Sequence, residues 1–296
     1  MNSSDFKKVL VTGARGQLAS AILQAVPVGV ECVGVAREEV NICDEENLRE
    51  VLNSARINLV INGAAYNLVD KAENEGARDA LNINALGVAN LAKVCRDLKI
   101  PLVHFSTDYV FDGGKSTPYL ESDATRPLGI YAASKLAGEN IALAASEINW
   151  AIRVSRLFGP VGFEGAGSTK KLAGNFPALM LRLGKERESV RVVNDQIGSP
   201  TYTPDLARAV WQLIQNSDGG LFQLSNAGEV AFDDYGRAVF EIANVECEVV
   251  AISSEDYGAA SCRPKYSTLD NSKAQSCGVT PLRYWKEALR EYLSTF

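Results

Sequence analysis

The chain has 296 residues, of which 46% are apolar and 22% charged, and its formal net charge is −6. This is the composition of an ordinary globular protein, and the length allows two lobes. No basic block offsets the negative charge, which argues against nucleic acids and anionic membranes as partners. The polar first eight residues lack a signal-peptide pattern, and no apolar run is long enough to span a membrane. We therefore expect a cytoplasmic protein.

Six cysteines and one histidine limit the metal and redox chemistry. The cysteines are scattered without a Cys-x-x-Cys pair, and most stand in apolar or helical surroundings, so we expect reduced and mostly buried thiols. They are Cys32, Cys43, Cys95, Cys247, Cys262 and Cys277. His104 stands inside an apolar run and is interpreted as a packed or hydrogen-bonded strand residue. The sequence thus predicts no metal site.

The first predicted element is a strand over residues 7–12 that continues through a glycine turn into a helix. In this context Gly13 allows a tight turn, and Gly16 lets the backbone approach a pyrophosphate at the helix N-terminus. Ala19, where many dinucleotide folds have glycine, still allows close packing of helix on strand. A plain turn is the alternative, but the place in the first βα unit favours a dinucleotide site.

The second predicted strand, residues 31–36, ends at Arg37. In a dinucleotide fold the residue at this point faces the adenosine ribose, where an acid binds the 2′-hydroxyl and an arginine suits a 2′-phosphate. Arg37, with Arg15 as a second cation, therefore favours NADP, with NADPH preferred and NADH still allowed. The alternative is a solvated arginine without such a role.

Further βα units follow in order. An acidic first turn and apolar spacing predict a helix over residues 44–54, and residues 59–63 predict a third strand. Small residues follow that strand at the sheet edge where a dinucleotide lies. The apolar stripe of residues 72–98 predicts one long crossover helix. Asn84, a poor helix former in its middle, is a candidate for a functional kink or a water site.

A fourth predicted strand, residues 102–106, leads to Thr107, whose hydroxyl at a strand end can bond a substrate carbonyl oxygen. Tyr131 and Lys135 follow on a predicted helix over residues 131–144, and their spacing places both side chains on one face. An adjacent cation favours the phenolate and lowers the ordinary tyrosine pKa of about 10. This spacing is common on solvated helices, so the case for a catalytic pair depends on the surrounding pattern.

A fifth strand over residues 150–155 completes an alternation that predicts an α/β fold, a Rossmann-type doubly wound parallel sheet. We expect residues 1–155 to form an NADP-binding domain and residues 156–296 to form mainly a smaller, partly interleaved substrate-binding domain. Glycine-rich residues 159–174 predict a loop over a site. The remaining predicted elements are strands at 190–193 and 220–225, and helices at 175–183, at 233–243, from Thr203 as N-cap, and from Pro281.

Seven sequence blocks follow one another between residues 9 and 293. They are VTGARGQL at 11–18, NGAAY at 62–66, VDKAE at 69–73, STDYVFDG at 106–113, Tyr-x-x-x-Lys at 131–135, DQ-x-GSPTY at 195–202 and RP-x-x-S-x-LD at 263–270. In this combination the chain resembles the extended short-chain dehydrogenases/reductases and, among them, the dTDP-4-dehydrorhamnose reductase family. One block would be weak evidence, whereas seven in order are specific.

The resemblance implies roles for individual residues. Tyr131 would donate a proton to the C4 carbonyl oxygen of a sugar that receives hydride from the nicotinamide. Lys135 would lower the tyrosine pKa and bond the nicotinamide ribose, and Thr107 would position the carbonyl. Asp108, Arg156 and Arg263 would lie at the substrate. The expected cofactor contacts are Gly13, Arg15, Gly16, Gln17, Leu18, Arg37, Asn41, Ile42, Ala64, Ala65, Tyr66, Tyr131 and Lys135.

The predicted function is NADPH-dependent reduction of the C4 keto group of a nucleotide-activated 6-deoxy-4-ketosugar, with dTDP-4-dehydro-L-rhamnose as the leading candidate. Arg156 stands where the family often has tryptophan, and Asn41 where an acid is common; both departures bear on the sugar more than on the reaction. For Arg156, a salt-bridged loop residue is the alternative.

Two other functions stay open at this point: a non-catalytic NADP-binding regulatory subunit of the methionine adenosyltransferase beta type, and a nucleotide-sugar epimerase with tightly bound NAD. The expected partner is a nucleotide sugar, and whether the protein forms a homodimer stays open.

Overall fold

A computed structural model describes residues 6–160 and 174–296, so most of the predicted glycine-rich loop, residues 161–173, lies outside the described residues. The strands are β1 (Lys8–Thr12), β2 (Glu31–Val35), β3 (Leu59–Asn62), β4 (Leu102–Thr107), β5 (Trp150–Val154), β6 (Leu157–Phe158), β7 (Ser189–Val193), β8 (Ile197–Gly198), β9 (Thr201–Tyr202), β10 (Gly220–Gln223), β11 (Val230–Ala231) and β12 (Glu248–Ile252). The helices are α1 (Gln17–Gln24), α2 (Glu45–Ser54), α3 (Val69–Ala72), α4 (Ala77–Leu81), α5 (Val88–Leu98), α6 (Ile130–Ala145), α7 (Phe176–Glu186), α8 (Thr203–Asn216), α9 (Phe232–Ala243), α10 (Ser254–Tyr257), α11 (Ser272–Ser276) and α12 (Trp285–Leu293).

The central element is a six-stranded sheet in the order β2-β1-β3-β4-β5-β10, and all its strands are parallel. The chain moves from β1 outward to β2 and then returns to β3 on the other side, and this change of direction leaves a crevice at the carboxyl edge. The predicted doubly wound parallel sheet is confirmed. β10 comes from the second half of the chain, while the domain division at residue 155 stays a prediction.

Helices cover both faces of this sheet. Its inner strands β3, β4 and β5 are therefore buried along their whole length. On one face, α1 and α8 contribute Ile22 and Val210 to the core. On the other face, α2 and α5 contribute Leu48 and Leu91. A separate apolar cluster around Tyr235 joins α7, α9 and α12. Within the described ranges, no helix is long and apolar enough to cross a membrane.

The single helix predicted over residues 72–98 is wrong. The chain instead forms α3, α4, a π-helical turn over Asn82–Gly87 and α5. Asn84 lies in that turn with its side chain buried, and α6 packs directly against it. A Cβ at Gly138 of α6 would lie 2.1 Å from the Asn84 carbonyl oxygen, so only glycine allows this approach. The helix is thus irregular at Asn84, in the form of a π-helical turn, whereas the functional kink or water site predicted there stays a prediction.

Three smaller predictions are also wrong. Thr203 is the first residue of α8 and not its cap, since the N-cap is Tyr202 and no side chain caps that end. The last helix begins at Trp285, after Pro281, because Tyr284 is held extended by a bridge to Ala227. The thiols are free but not mostly buried, because three of them only border an apolar core and two lie at the surface. Cys95 is buried, Cys32, Cys247 and Cys277 are partly buried, and Cys43 and Cys262 are exposed.

Candidate active site

The glycine turn after β1 forms one wall of the crevice. Gly13 has a φ of +67°, a region that favours glycine. A Cβ there would lie 2.8 Å from backbone atoms of Gly63 and Ala64, so the loops after β1 and β3 touch only because this side chain is missing. Gly16 is the N-cap of α1, and no side chain caps that helix end. The first N–H groups of α1 are therefore available to an anion, as predicted.

A cavity of about 300 Å³, here called the adenosine-side cavity, opens between this turn and the end of β2. It is lined by eight of the predicted cofactor residues: Gly13, Arg15, Gly16, Arg37, Asn41, Ile42, Ala64 and Ala65. Glu38 also lines it and forms an ion pair with Arg15 at 3.1 Å. Sequence reasoning missed this acid because it considered only the residue that directly follows the second strand.

A second cavity, of about 410 Å³, shares Gly16, Gly63, Ala64, Ala65 and Asn67 with the first and is here called the catalytic cavity. It is lined by Gln17 and Leu18 and by five of the predicted catalytic and substrate residues: Thr107, Asp108, Tyr131, Lys135 and Arg156. The structure therefore brings together side chains from the ends of β1, β4 and β5 and from α6. The two cavities together form one continuous crevice across the carboxyl edge of the sheet.

Two predicted site residues, Tyr66 and Arg263, line neither cavity. The Tyr66 hydroxyl lies against Gly76, where a Cβ would be 1.9 Å away. Arg263 forms a two-fold ion pair with Asp70 at 2.7 and 3.0 Å. It reaches the catalytic cavity only through a hydrogen bond to Tyr109, which lines that cavity. Ligand contacts by Tyr66 and Arg263 stay predictions.

Tyr131 and Lys135 project from the first two turns of α6, and Thr107 ends β4. The Thr107 hydroxyl donates to Asp108 Oδ1 at 3.2 Å and also interacts with the Tyr131 hydroxyl. The Tyr109 ring packs edge-on against Tyr131 with ring centres 6.2 Å apart. These contacts hold the phenol within the cavity. Lys135 Nζ donates to the Phe105 carbonyl oxygen at 2.5 Å.

Burial sets the ionisation of this pair. Burial first, and then Asp108 and Tyr109, raise the pKa of Tyr131 above its ordinary value, so the phenol keeps its proton at neutral pH. Burial lowers the pKa of Lys135 to about 8, against the opposing charge of Glu139. In the protein without cofactor or substrate, the expectation that Lys135 lowers the pKa of Tyr131 is wrong. The ammonium group faces the Phe105 carbonyl, and only the Thr107 hydrogen bond lowers the tyrosine pKa.

Asp108 is buried beneath the cavity wall and connects three chain segments. Its Oδ2 accepts hydrogen bonds from Ser155 at 2.9 Å and from Ser267 at 2.6 Å. Burial raises the pKa of Asp108, while these hydroxyls and the charge of Arg156 lower it. The carboxyl group thus fixes the end of β4 to the end of β5 and to the loop before α11. Neither serine was predicted as a site residue.

Asn84 links the catalytic helix to the loop after β3. Its side-chain amide accepts from the Tyr66 N–H at 2.8 Å and donates to the Tyr66 carbonyl at 3.0 Å. It also donates to Ser134 Oγ at 3.0 Å, and Ser134 lies between Tyr131 and Lys135 in α6. Asn84 therefore couples the loop after β3 to the helix that carries Tyr131 and Lys135, while a functional role for it stays a prediction.

Buried charges behind the cavity were not predicted. Glu139, one turn after Lys135, forms a two-fold ion pair with Arg153 at 2.6 and 3.0 Å, and both residues are at most 2% exposed. The sequence did contain a signal for this pair, namely an acid and an arginine inside otherwise apolar elements, since buried charges are usually paired.

His104, predicted to be packed or hydrogen-bonded, is buried with Nδ1 3.1 Å from the Asn62 amide nitrogen. Burial lowers the pKa of His104 well below its ordinary value.

Comparison with known proteins assigns this chain to a family. The family described as "RmlD substrate binding domain" matches residues 7–296. The chain belongs to this family. Its relatives include the spore coat polysaccharide biosynthesis protein SpsK of Bacillus subtilis, 36% identical over 97% of this chain and 96% of that protein. A dTDP-4-dehydrorhamnose reductase of Mycolicibacterium smegmatis is 37% identical over 96% of this chain and 84% of that protein.

A solved RmlD-family structure supports the assignment of the fold. The dTDP-4-dehydrorhamnose reductase of Bacillus anthracis in complex with NADP superposes with a TM-score of 0.91. It is 33% identical and covers 100% of both chains. The whole architecture, including the second half of the chain, is therefore that of the family.

Proposed function

We propose that this protein is an NADPH-dependent reductase of nucleotide-linked 4-keto-6-deoxysugars. The observation that carries the proposal is that Thr107, Tyr131 and Lys135 line one cavity that continues into the glycine-turn cavity. A phenol that keeps its proton, beside a buried lysine, is a source of one proton for a carbonyl oxygen. Two of the relatives named above are dTDP-4-dehydrorhamnose reductases, so we assign dTDP-4-dehydro-L-rhamnose as the substrate and dTDP-L-rhamnose as the product.

The described residues fit an NADP molecule. The missing Cβ atoms of Gly13 and Gly63 allow the close packing of the loops after β1 and β3 and of α1 that shapes the crevice. The α1 N-terminus offers free N–H groups to a diphosphate, and Arg15 and Arg37 supply cations at the adenosine side. Lys135 and Tyr131 would hold the nicotinamide end. When bound, NADPH supplies a hydride. The solved relative that contains NADP supports this choice of cofactor.

The residues of the chain would then divide the remaining work. Tyr131 donates its hydroxyl proton to the carbonyl oxygen at C4, and Thr107 holds the phenol by a hydrogen bond until the substrate arrives. Lys135 places a positive charge at the site as the tyrosine loses its proton. Tyr109 and Leu157 line the same cavity and keep water away from the reacting carbonyl. Asp108 stays bound to protein hydroxyls and holds the wall in place.

The buried lysine also bears on the alternatives. Burying an ammonium group disfavours its charged form, as the lowered pKa of Lys135 reflects, and a non-catalytic regulatory subunit has no chemical need for it. The distinguishing assay is oxidation of NADPH with a panel of nucleotide-linked 4-ketosugars. We expect turnover with a dTDP-linked 4-keto-6-deoxysugar. Cofactor binding without oxidation of NADPH by any member would favour the regulatory subunit, and stoichiometric NAD in the purified protein would favour the epimerase.

We expect kcat/KM for reduction to be constant below about pH 7 and to fall as pH rises through about 8. Lys135, with a pKa of about 8, loses its proton in that range, whereas Tyr131 has a raised pKa and stays protonated. Loss of one required proton gives a decline of about tenfold per pH unit. The measurement is a pH–rate profile with saturating NADPH. Constant kcat/KM up to pH 10 would show that the charge of Lys135 is not required.

Replacement of Arg37 by alanine should weaken NADPH binding several-fold and leave NADH binding nearly unchanged, because only NADPH carries the 2′-phosphate. Arg37 is exposed and lines the adenosine-side cavity, whereas the neighbouring cation Arg15 is already paired with Glu38. Dissociation constants for both cofactors provide the test. Arg126→Ala is a matched control, since this exposed arginine lines neither cavity. Equal losses for the two cofactors would mean that Arg37 does not contact that phosphate.

A further inference from the structure

Arg156 has an unusual backbone conformation directly after β5. Its φ is +44°, in the left-handed region that residues with a side chain rarely adopt. Such a conformation costs free energy and persists only where the surrounding structure enforces it. The result is a guanidinium group that lines the catalytic cavity together with Tyr131 and Thr107.

The guanidinium group is held on three sides. Nη1 donates to the Val230 carbonyl oxygen at 2.8 Å, and the group stacks on the Phe232 ring at 3.9 Å from its centre. It also packs over the bare Cα of Gly198, where a Cβ would lie 2.8 Å from Nε. These contacts fix the side chain of Arg156 in one orientation, as a pre-organised binding group requires.

Two hydrogen-bond donors remain unused in this arrangement. Arg156 Nε and the Tyr235 hydroxyl are buried, and neither has a partner among residues 6–160 and 174–296. Tyr235 is 1% exposed, lines the catalytic cavity, and lies close enough to Arg156 to interact with it electrostatically. Buried donors without an acceptor are costly and rare in folded proteins. An acceptor supplied by a ligand would remove that cost.

We propose that Arg156 and Tyr235 form a donor pair that reads one ring hydroxyl of the ketosugar, away from C4, by bonding to its oxygen. The inference rests on the proposed function and adds the feature by which the enzyme would choose among ketosugars. Tyr235 was not predicted as a site residue, because it lies far along the chain in α9 and in no sequence block. The tryptophan common in the family at position 156 would offer a stacking surface and a single N–H donor, whereas an arginine carries five N–H donors.

A site built to bond a hydroxyl discriminates strongly against the analogue that lacks it, because its donors are then left buried without partners. The pair should therefore distinguish sugars that differ by one ring hydroxyl. It should have little effect on the cofactor, whose adenosine side lies in the other cavity.

The test compares three dTDP-linked 4-keto-6-deoxysugars: the full sugar, its C2-deoxy analogue and its C3-deoxy analogue. We expect the wild-type protein to prefer the full sugar over one of the two analogues by at least about tenfold in kcat/KM. Tyr235→Phe should lower kcat/KM for the full sugar by about 5- to 100-fold and leave that for the disfavoured analogue within about twofold. Arg156→Lys keeps the charge but loses Nε. It should lower the ratio of kcat/KM for the full sugar to kcat/KM for the disfavoured analogue. NADPH affinity should not change in either variant.

Tyr266→Phe is the matched control, since this buried tyrosine bonds Glu229 and does not line the catalytic cavity. The proposed pair would be overturned if Tyr235→Phe lowered kcat/KM by the same factor for all three sugars. It would also be overturned if the wild type had the same kcat/KM for all three. If Tyr235→Phe fails to fold, the same criterion applies to Arg156→Lys. Failure of the wild type to reduce any of the sugars would instead overturn the proposed function.

Discussion

Tyr131→Phe is expected to lower turnover at least about 100-fold while leaving NADPH affinity nearly unchanged. The substitution removes only the hydroxyl that donates the proton, and general acids contribute about 10²- to 10⁴-fold. The ring would stay in place, because its edge-on packing against Tyr109 does not involve the hydroxyl. The measurements are single-turnover oxidation of NADPH and the dissociation constant of NADPH.

The control for this substitution is Tyr257→Phe, which removes the hydroxyl of an exposed tyrosine on α10. It should have wild-type activity. Near-normal turnover of Tyr131→Phe would remove the catalytic assignment and favour the regulatory-subunit alternative. A fall in NADPH affinity of the same size as the fall in turnover would mean that the hydroxyl holds the cofactor and does not transfer a proton.

Lys135→Met should abolish most activity and, at pH 7, raise the free energy of unfolding by about 1–3 kcal/mol. The pKa of Lys135 falls from 10.5 to about 8 in the folded protein, which corresponds to about 1.4 kcal/mol for each pKa unit. Loss of the hydrogen bond to the Phe105 carbonyl offsets about 1 kcal/mol of that gain. A residue that lowers the free energy of unfolding must serve another role, and for Lys135 this role is the chemistry of Tyr131.

The sign of this effect can be tested by pH. Below about pH 8 the folded protein must bury a charged ammonium group, so the full cost is present. As pH rises through 8, the folded protein releases that proton before the unfolded chain does, and the wild type gains stability relative to the variant. Denaturant unfolding of both proteins at pH 7 and near pH 10 should show the difference shrinking. A variant less stable than the wild type at pH 7 would show that Lys135 supports the fold.

The sequence was sufficient to predict the sheet, the glycine turn and the placement of Tyr131 and Lys135 in one cavity, since these depend on local rules. Gly13 needs its left-handed φ, the strands need apolar runs, and Tyr131 and Lys135 share a face by helical spacing. The strand that completes the sheet, β10, lies far along the chain, but its apolar pattern still identified it as a strand.

What the sequence did not reveal depends on contacts between distant segments. The π-helical turn at Asn84 exists because α6 approaches closely at Gly138, and no propensity encodes that approach. Tyr235 joins the catalytic cavity only through the packing of the second lobe. The pKa of Tyr131 is raised and not lowered because the phenol is buried while the Lys135 ammonium group faces the Phe105 carbonyl, and neither can be read from spacing.

Transfer of a deuteride to the sugar is the measurement that tests the central claim most directly. NADPH carrying deuterium at both positions of the nicotinamide C4 would be incubated with the protein and dTDP-4-dehydro-L-rhamnose, and the product examined by mass spectrometry and proton NMR. The account predicts one deuterium at C4 of a dTDP-6-deoxyhexose in the wild type, and at least about 100-fold slower labelling in Tyr131→Phe. Unlabelled sugar, or labelling at the wild-type rate in Tyr131→Phe, would contradict it.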